Sequence, residues 1–187
     1  MQEKVTKQRE EVNVKCRSGE ISVTQMVIIA FKLYFGVEYV KDEKQSIEIF
    51  RACASEGNVL SNAMLYFSGA LGEDYKDSSA FALFNKCYKD SKEAMEEEGV
   101  EEEKREELSY ALNMLAFMHK SGRGTPRNNK KAVKFYCKSC EQGNSLAMSN
   151  LAILYEHGLG VEKDYNKALE LLKLSAEKKS DSPKFSD

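Results

Sequence analysis

The fold is decided by Ala147-Met-Ser-Asn-Leu-Ala-Ile-Leu-Tyr-Glu-His-Gly-Leu-Gly160, which repeats Ala111-Leu-Asn-Met-Leu-Ala-Phe-Met-His-Lys-Ser-Gly-Arg-Gly124 at an offset of 36 residues. The same offset continues beyond the glycines, where Asn128 matches Asp164. Self-similarity at a fixed period of roughly 20 to 50 residues is typical of stacked repeat architectures. The sequence therefore predicts an array of similar units.

Two ladders of small residues reveal fainter copies upstream. In the first ladder an alanine is followed six residues later by a glycine, at Ala30/Gly36, Ala63/Gly69, Ala116/Gly122 and Ala152/Gly158. In the second ladder a small residue is followed by a large apolar residue and then by another small one, at Ser46/Phe50/Cys53, Ala80/Phe84/Cys87, Ala132/Tyr136/Ser139 and Ala168/Leu172/Ser175. These ladders predict four repeats, at about residues 22–58, 59–90, 109–144 and 145–180.

Each unit has the spacing of a helical hairpin. In the last copy, Ala147, Leu151 and Leu154 mark one helix face, because residues three and four apart share a face. Gly158 is expected to end this first helix, since glycine accepts the left-handed conformation that a helix C-terminus favours. Asp164 is expected to cap the second helix by accepting hydrogen bonds from its first N–H groups.

This pattern resembles the Sel-one-like repeat (SLR) family, whose members are related to the tetratricopeptide α-solenoids. The residues that carry the resemblance are Ala147, Leu151-Ala152, Tyr155-Glu-His-Gly-Leu-Gly-Val161, Asp164-Tyr-Asn-Lys-Ala168 and Ser175-Ala176. The likeness is close over residues 109–180 and looser over 22–90, where Glu38 replaces the second glycine of the first copy and the first helix of the second copy is about a turn short. The resemblance implies an all-α fold, an α/α superhelix (a right-handed solenoid) of about four helix-turn-helix repeats.

Composition excludes several other classes of protein. Among 187 residues, 42% are hydrophobic, and 28 Lys and Arg nearly balance 30 Asp and Glu. That apolar content argues against an obligately disordered chain, and the balanced charge argues against a dedicated nucleic-acid binder. No stretch approaches the roughly 18 apolar residues that cross a bilayer, so no membrane insertion is expected.

The cysteines and the N-terminus suggest a reducing compartment. Five cysteines are an odd number, which favours reduced thiols over a disulfide framework. Cys53 and Cys87 occupy the slot of Ser139 and Ser175, so a packing role is expected for them. The N-terminal residues show no targeting pattern, which makes the cytosol the expected location and the mitochondrion the alternative.

The sequence offers little for catalysis or metal binding. Cys137-Lys-Ser-Cys140 is a single Cys-x-x-Cys without a second pair or a nearby histidine at ligand spacing. His119 stands in the slot of Tyr155 and is expected to be packed, whereas His157 lies in the last turn of its helix. No phosphate-cradling loop, Gly-x-Ser-x-Gly or His-Glu-x-x-His is present, so we expect no metal, no cofactor and no small-molecule substrate.

An acidic segment interrupts the period between the second and third copies, and we assign it to residues 91–108. The stretch Asp90 to Glu107 holds ten acidic and three basic residues. Its composition leaves open an extended second helix or a solvated loop breaking at Gly99. A docking surface for a basic partner is the sharper alternative.

The chain ends are expected to differ in role. The helix Met26 to Phe35 is apolar on most sides, which predicts burial on most sides. Residues 1–21 are therefore expected to fold back as a cap on the solenoid 22–180, or to fray, with a partner contact at this helix as a further expectation. Residues 181–187 are predicted to be a disordered tail.

By the family resemblance, the first helices line the concave side of the solenoid, and the residue after each ladder alanine points inward. That rule gives an apolar row of Phe31, Met64, Phe117 and Ile153. The flanking inward candidates are Asn113, Lys120, Ser149, Glu156 and His157. Such a groove suits an amphipathic helix or an extended peptide, although the same row could instead fill an inter-repeat core.

Three functions follow from this reading. The first is a non-enzymatic adaptor or scaffold that binds a partner protein on the concave face, within a larger complex. The second is an accessory structural subunit of a multiprotein assembly, bound through the N-terminal helix and the solenoid ends. The third is an enzyme, as the resemblance implies for a few cysteine-rich relatives, and it would require a low-pKa thiol at Cys137 or Cys140.

Overall fold

The computed structural model describes residues 2–72, 76–94 and 101–180, and all regular structure in these ranges is α-helical. The helices are α1 (Gln2–Ser18), α2 (Val23–Phe35), α3 (Glu43–Ser55), α4 (Val59–Ser68), α5 (Asp77–Ala94), α6 (Glu102–Ser121), α7 (Asn129–Glu141), α8 (Ser145–His157) and α9 (Tyr165–Ser180). The predicted tail, residues 181–187, lies outside the described residues.

Helices α2 to α9 form four consecutive hairpins, in which α2 packs on α3, α4 on α5, α6 on α7 and α8 on α9. Each hairpin also packs on the next one, through α3 with α4, α5 with α6, and α7 with α8. The protein is an all-α solenoid, which confirms the predicted fold class. Helix α4 has 10 residues where α2 and α8 have 13, so the predicted shortening by a turn is confirmed.

The helix ends follow the predicted chemistry. Gly158 ends α8 with a left-handed φ of 66°, and its N–H donates to the Leu154 carbonyl oxygen. The Asn128 and Asp164 side chains accept from the N–H groups of Lys131 and Lys167 at 2.9 and 3.0 Å. The last two hairpins therefore receive their turns from residues that the sequence already marks.

The small-residue ladders have a hydrogen-bonding purpose as well as a steric one. Ser139 Oγ donates to the carbonyl oxygen of Ser109 at 2.7 Å, and Ser175 Oγ donates to that of Ser145 at the same distance. In the first hairpin the Cys53 thiol lies 4.0 Å from the carbonyl oxygen of Val23. Cysteine thus replaces serine in a helix-packing slot, which confirms the packing role predicted for Cys53.

Helix α1 covers the outer side of the first hairpin. Arg9 forms an ion pair with Asp42, the N-cap of α3, and the Gln8 amide exchanges two hydrogen bonds with the Val40 backbone at 2.8 and 2.9 Å. Val12 is 1% exposed. Burial raises the Asp42 pKa, but the Arg9 contact and backbone hydrogen bonds outweigh it and lower the pKa overall. The N-terminal helix is therefore bound to the first hairpin at the start of α3.

The acidic segment is helical on both sides of residues 95–100, which lie outside the described residues. Helix α5 extends to Ala94, so the second helix is lengthened as one alternative predicts. Glu102 begins α6, and the residues up to Leu108 form its first two turns. A solvated loop is therefore wrong for residues 102–108.

Three glutamates of this α6 extension bind the chain's own N-terminal half. Glu103 accepts from Ser22 Oγ, the N-cap of α2, at 2.9 Å. Glu106 pairs with Lys32 at 3.0 Å, and Glu107 accepts from the Asn58 amide, the N-cap of α4, at 2.8 Å. A negative charge at a helix N-terminus is stabilising. These acids serve internal packing, so their use as a surface for a basic partner is not favoured.

Candidate functional site

A cavity of about 220 Å³ opens where the first helices of all four hairpins meet. Its walls come from α2, α4, α6 and α8, and they are Phe35, Phe67, Asn113, Met114, Phe117, Leu146 and Asn150. Five of these seven residues are apolar, so the cavity suits an apolar anchor with a few polar groups to orient it. We call this cavity and the adjoining exposed face of α8 the concave groove.

The aromatic wall of the groove is held rigidly. The Phe67 ring packs edge-on against Phe117 at 5.8 Å and against Phe84 at 6.4 Å. The Arg123 guanidinium lies 4.1 Å from the centre of the Phe67 ring, and Arg123 is itself fixed by an ion pair with Asp77 at 2.7 Å. A wall already fixed before binding loses little side-chain entropy when a ligand arrives.

Two asparagines form the polar part of the cavity. Asn150 Nδ2 donates to Asn113 Oδ1 at 3.1 Å and so links α8 to α6. A primary amide carries two donors and an acceptor with two lone pairs. The pair therefore keeps capacity to bind the backbone of a ligand segment.

Helix α8 extends the groove past the cavity. Leu146, Asn150, Ile153 and His157 follow one another at helical spacing, so they share one face. Ile153 is 39% exposed, the highest exposure among large apolar residues of this helix. The face offers an aliphatic contact just outside the cavity.

A polar cavity of about 240 Å³ lies beside the apolar one, and Leu146 lines both. Lys32 pairs there with Glu38 and Glu106, each at 3.0 Å. Burial lowers the Lys32 pKa, but the two carboxylates outweigh burial and raise the pKa overall. The lysine is therefore charged and already neutralised by its own chain.

The predicted apolar row is only half accessible. Phe31 and Met64 are 0% exposed, so their assignment to a partner surface is wrong. Phe31 stacks on Tyr110 of α6 with ring centres 4.7 Å apart, because α6 packs directly against α2 across the concave side. Phe117 lines the cavity and Ile153 lies exposed beside it.

The flanking candidates also separate into groups. Asn113 is 2% exposed overall but contributes to the cavity wall, and Lys120 is half-buried. Ser149 Oγ is 2.8 Å from Ser175 Oγ, which places it in the α8–α9 contact rather than the groove. Glu156 and His157 are exposed and lie 3.9 Å apart at the end of α8.

Five cavity residues are absent from the sequence prediction: Phe35, Phe67, Met114, Leu146 and Asn150. The signal that could have found them is helical spacing. Phe35 lies four residues after Phe31, Phe67 three after Met64, and Met114 three before Phe117, while Leu146 and Asn150 lie seven and three residues before Ile153. Extending each predicted position along its own helix face identifies all five.

The five thiols are free, and their environments do not favour nucleophilic chemistry. Burial raises the pKa of Cys53 to about 11 and that of Cys140 to about 12. Burial also raises the pKa of Cys137. A reactive cysteine needs the opposite shift, because the thiolate is the nucleophile. The low-pKa thiol required by the enzyme hypothesis is therefore not present at either residue.

Two further features bear on function. Within residues 2–72, 76–94 and 101–180, no three His, Cys, Asp or Glu side chains are grouped so that they could hold a metal ion. None of the described helices combines the length and the apolar composition needed to cross a bilayer.

His119 is packed, as its slot predicts. It is 5% exposed, stacks on Phe135 at 5.6 Å and meets the Phe81 ring edge-on at 5.3 Å. Burial and the charge of Lys131 lower the pKa of His119. The folded protein therefore holds this imidazole neutral at a pH where the unfolded chain binds a proton.

His119 should make stability depend on pH. Below the unfolded pKa of about 6.5 the unfolded state binds more protons than the folded state, so the free energy of unfolding falls as pH falls toward the folded pKa. Urea unfolding at pH 8 and pH 5 should show a larger loss for wild type than for His119→Tyr, which carries the residue found in the equivalent slot. Equal losses would show that His119 is not held neutral.

The repeats resemble those of known proteins. The family model described as "Sel1 repeat" matches residues 109–144 and 145–180. Over 74 residues the chain is 34% identical to "Protein sel-1 homolog 2" of Mus musculus and to the protein of the same name of Homo sapiens. Each match covers 39% of this chain, which spans only 11% of the length of these curated relatives.

Two solved structures are also similar. One is the crystal structure of c5321, a protective antigen present in uropathogenic Escherichia coli strains displaying an SLR fold, with a TM-score of 0.49 and 23% identity over 90% of this chain and 33% of that one. The other is a Sel1 repeat protein from Oxalobacter formigenes, with a TM-score of 0.49 and 20% identity over 83% of this chain and 58% of that one.

Proposed function

Because residues 109–180 are two Sel1 repeats, this chain belongs to the Sel1-like repeat family, and we propose that it is a non-enzymatic adaptor whose concave groove holds a helix or an extended peptide of a partner protein. Sel1 repeats are generally protein-interaction modules. The observation that carries the proposal is the apolar cavity at the meeting point of all four first helices. A partner bound there contacts every hairpin at once.

The chemistry of the groove defines the partner segment. Phe35, Phe67 and Phe117 accept an aromatic or branched aliphatic anchor, which loses its hydration on entering the cavity. The Asn113–Asn150 pair fixes register by hydrogen bonding to backbone groups. Lys32 adds little net attraction because Glu38 and Glu106 already neutralise it. The partner segment is therefore apolar and uncharged at its centre.

The alternative role is an accessory subunit bound through the N-terminal helix and the solenoid ends. The Met26 to Phe35 helix offers little surface for such a contact, because Val27, Phe31 and Leu33 are 0% exposed. The groove is therefore better supported as a binding surface than the N-terminal helix. A reducing compartment, the cytosol or the mitochondrion, goes with this role, since all five cysteines are free thiols.

The adaptor proposal predicts that Ile153→Glu weakens peptide binding at least tenfold. Peptides are first selected from a displayed random library on the immobilised full chain, and their affinities are then measured by fluorescence anisotropy. Ile153 is exposed enough to accept a charge without unfolding, but a carboxylate beside the cavity opposes an apolar anchor. Circular dichroism checks that the variant stays helical.

The matched control is Leu174→Glu, which introduces the same charge at a leucine of similar exposure, 43%, on α9. Peptides that bind Ile153→Glu as tightly as wild type, or that lose affinity equally in both variants, would contradict binding in the groove. Selection of peptides without apolar anchors would contradict it as well.

A further inference from the structure

One position of the second helices sets the last hairpin apart. The large apolar residue four positions after the ladder residue is 0% exposed in the first three hairpins, at Phe50, Phe84 and Tyr136. Its counterpart in α9, Leu172, is 48% exposed. The same slot is therefore a core position three times and a surface position once.

Leu172 belongs to an apolar stripe that runs along α9. Tyr165 and Leu169, four residues apart and at helical spacing from Leu172, are 61% and 53% exposed. We call these three residues the α9 stripe. Within the part of the chain that the structure describes, no helix packs on this side of α9 as α8 packs on α7.

The equivalent stripe of α7 shows what covers such a surface. Val133 and Tyr136, which lie 36 residues before Leu169 and Leu172, share one apolar cluster with Ala147, Leu151 and Leu154. Those three residues form the face of α8, the next first helix, that packs on α7. A first helix with a small residue followed by leucines is thus the natural cover for this stripe.

The Gly-x-Gly turn after a first helix also packs on the second helix of the preceding hairpin, at its first residue. At Gly160, which follows α8, an added Cβ would lie 2.5 Å from the backbone carbon of Asn129, the first residue of α7. At Gly124, which follows α6, it would lie 2.1 Å from the carbonyl oxygen of Asp77, the first residue of α5. The corresponding place on α9 is Tyr165, which is exposed.

We propose that the α9 stripe is an open inter-repeat interface, and that it binds the first helix and Gly-x-Gly turn of a Sel1-type repeat from another protein. The stripe continues an interface that the solenoid already forms between its own hairpins. A helix face that contacts water is usually polar, and this face of α9 presents Leu169 and Leu172. This site is separate from the concave groove and does not depend on it.

The occupant is another protein rather than a second copy, because this chain has no free first helix among its described residues. The face of α8 that carries Ala147 and Leu154 is fully used, since both residues are 0% exposed. The equivalent faces of α4 and α6 are also covered, since Ala63 and Ala116 are 0% exposed. In α2, Ala30 is likewise 0% exposed. A second copy therefore offers no face of the required chemistry.

The test uses a synthetic peptide with the sequence of residues 145–164, which comprises α8 and its Gly-x-Gly turn. A hydrocarbon link on its outer side holds it helical, because a helix this short is marginal alone. Fluorescence anisotropy should show saturable binding to the full-length wild type and at least a tenfold loss with Leu172→Glu. Leu174→Glu and Ile153→Glu should bind like wild type, and a peptide carrying Gly160→Ala should bind at least tenfold more weakly.

Three results would overturn the proposal. The first is no saturation by the peptide up to about 1 mM, which corresponds to only about 4 kcal/mol of binding free energy. The second is equal affinity for wild type and Leu172→Glu. The third is concentration-dependent dimerisation of the wild type in sedimentation that Leu172→Glu abolishes, because this result would assign the stripe to a second copy.

Discussion

Gly124→Ala should lower the free energy of unfolding by about 2 to 4 kcal/mol. Gly124 has a φ of 67°, and a Cβ there would lie 2.1 Å from the carbonyl oxygen of Asp77. The left-handed conformation costs alanine about 1 kcal/mol, and separating two backbone segments adds an overpacking cost of about 1 to 3 kcal/mol. Urea unfolding followed by circular dichroism measures the loss.

Gly143→Ala is the matched control for this substitution. Gly143 has a φ of 81° but nothing within 4 Å of the added Cβ, so it carries the conformational cost without the backbone clash. We expect a loss of about 1 kcal/mol. Equal losses for the two variants would show that the close approach of the turn to α5 does not contribute to stability.

The hairpins were predictable because their signals are local. A glycine such as Gly158 and a cap such as Asp164 act on residues within four positions of themselves, and the apolar spacing of a helix extends over two or three turns. The repeat period adds independent copies of the same signal. Helix pairing and turn positions therefore follow from the sequence without knowledge of long-range contacts.

The closing of the concave side was not predictable in this way. Lys32 and Glu106 form an ion pair, yet nothing in the spacing of either residue points to the other. Their contact depends on the curvature of the solenoid, which brings α6 against α2. Curvature is the sum of small rotations between repeats, and a one-dimensional pattern carries little information about it.

The site was half predictable for the same reason. The rule that selects the residue after each ladder alanine uses helix position alone. Whether an inward residue is buried or exposed depends on how closely another first helix approaches it across the concave side, as α6 approaches α2. Phe117 and Ile153 lie where it is open, whereas Phe31 lies where α6 fills it.

Phe31→Ala should therefore destabilise the fold by about 3 to 5 kcal/mol, the cost of deleting a fully buried ring from a core. The ring stacks on Tyr110 at 4.7 Å and meets Phe50 edge-on at 5.1 Å. Such aromatic pairs contribute beyond their buried area. The measurement is the free energy of unfolding in urea, with the thermal midpoint as a second readout.

Ile153→Ala is the counterpart from the same predicted row. Its side chain is 39% exposed, so truncation should cost about 1 kcal/mol or less. A partner-binding row predicts small and similar losses at both positions, because residues reserved for a partner are solvent-exposed in the free protein. A large loss at Phe31 beside a small one at Ile153 means that the first repeats use their inner face for stability. Similar losses would return Phe31 to the binding surface and contradict the packing of α6 on α2.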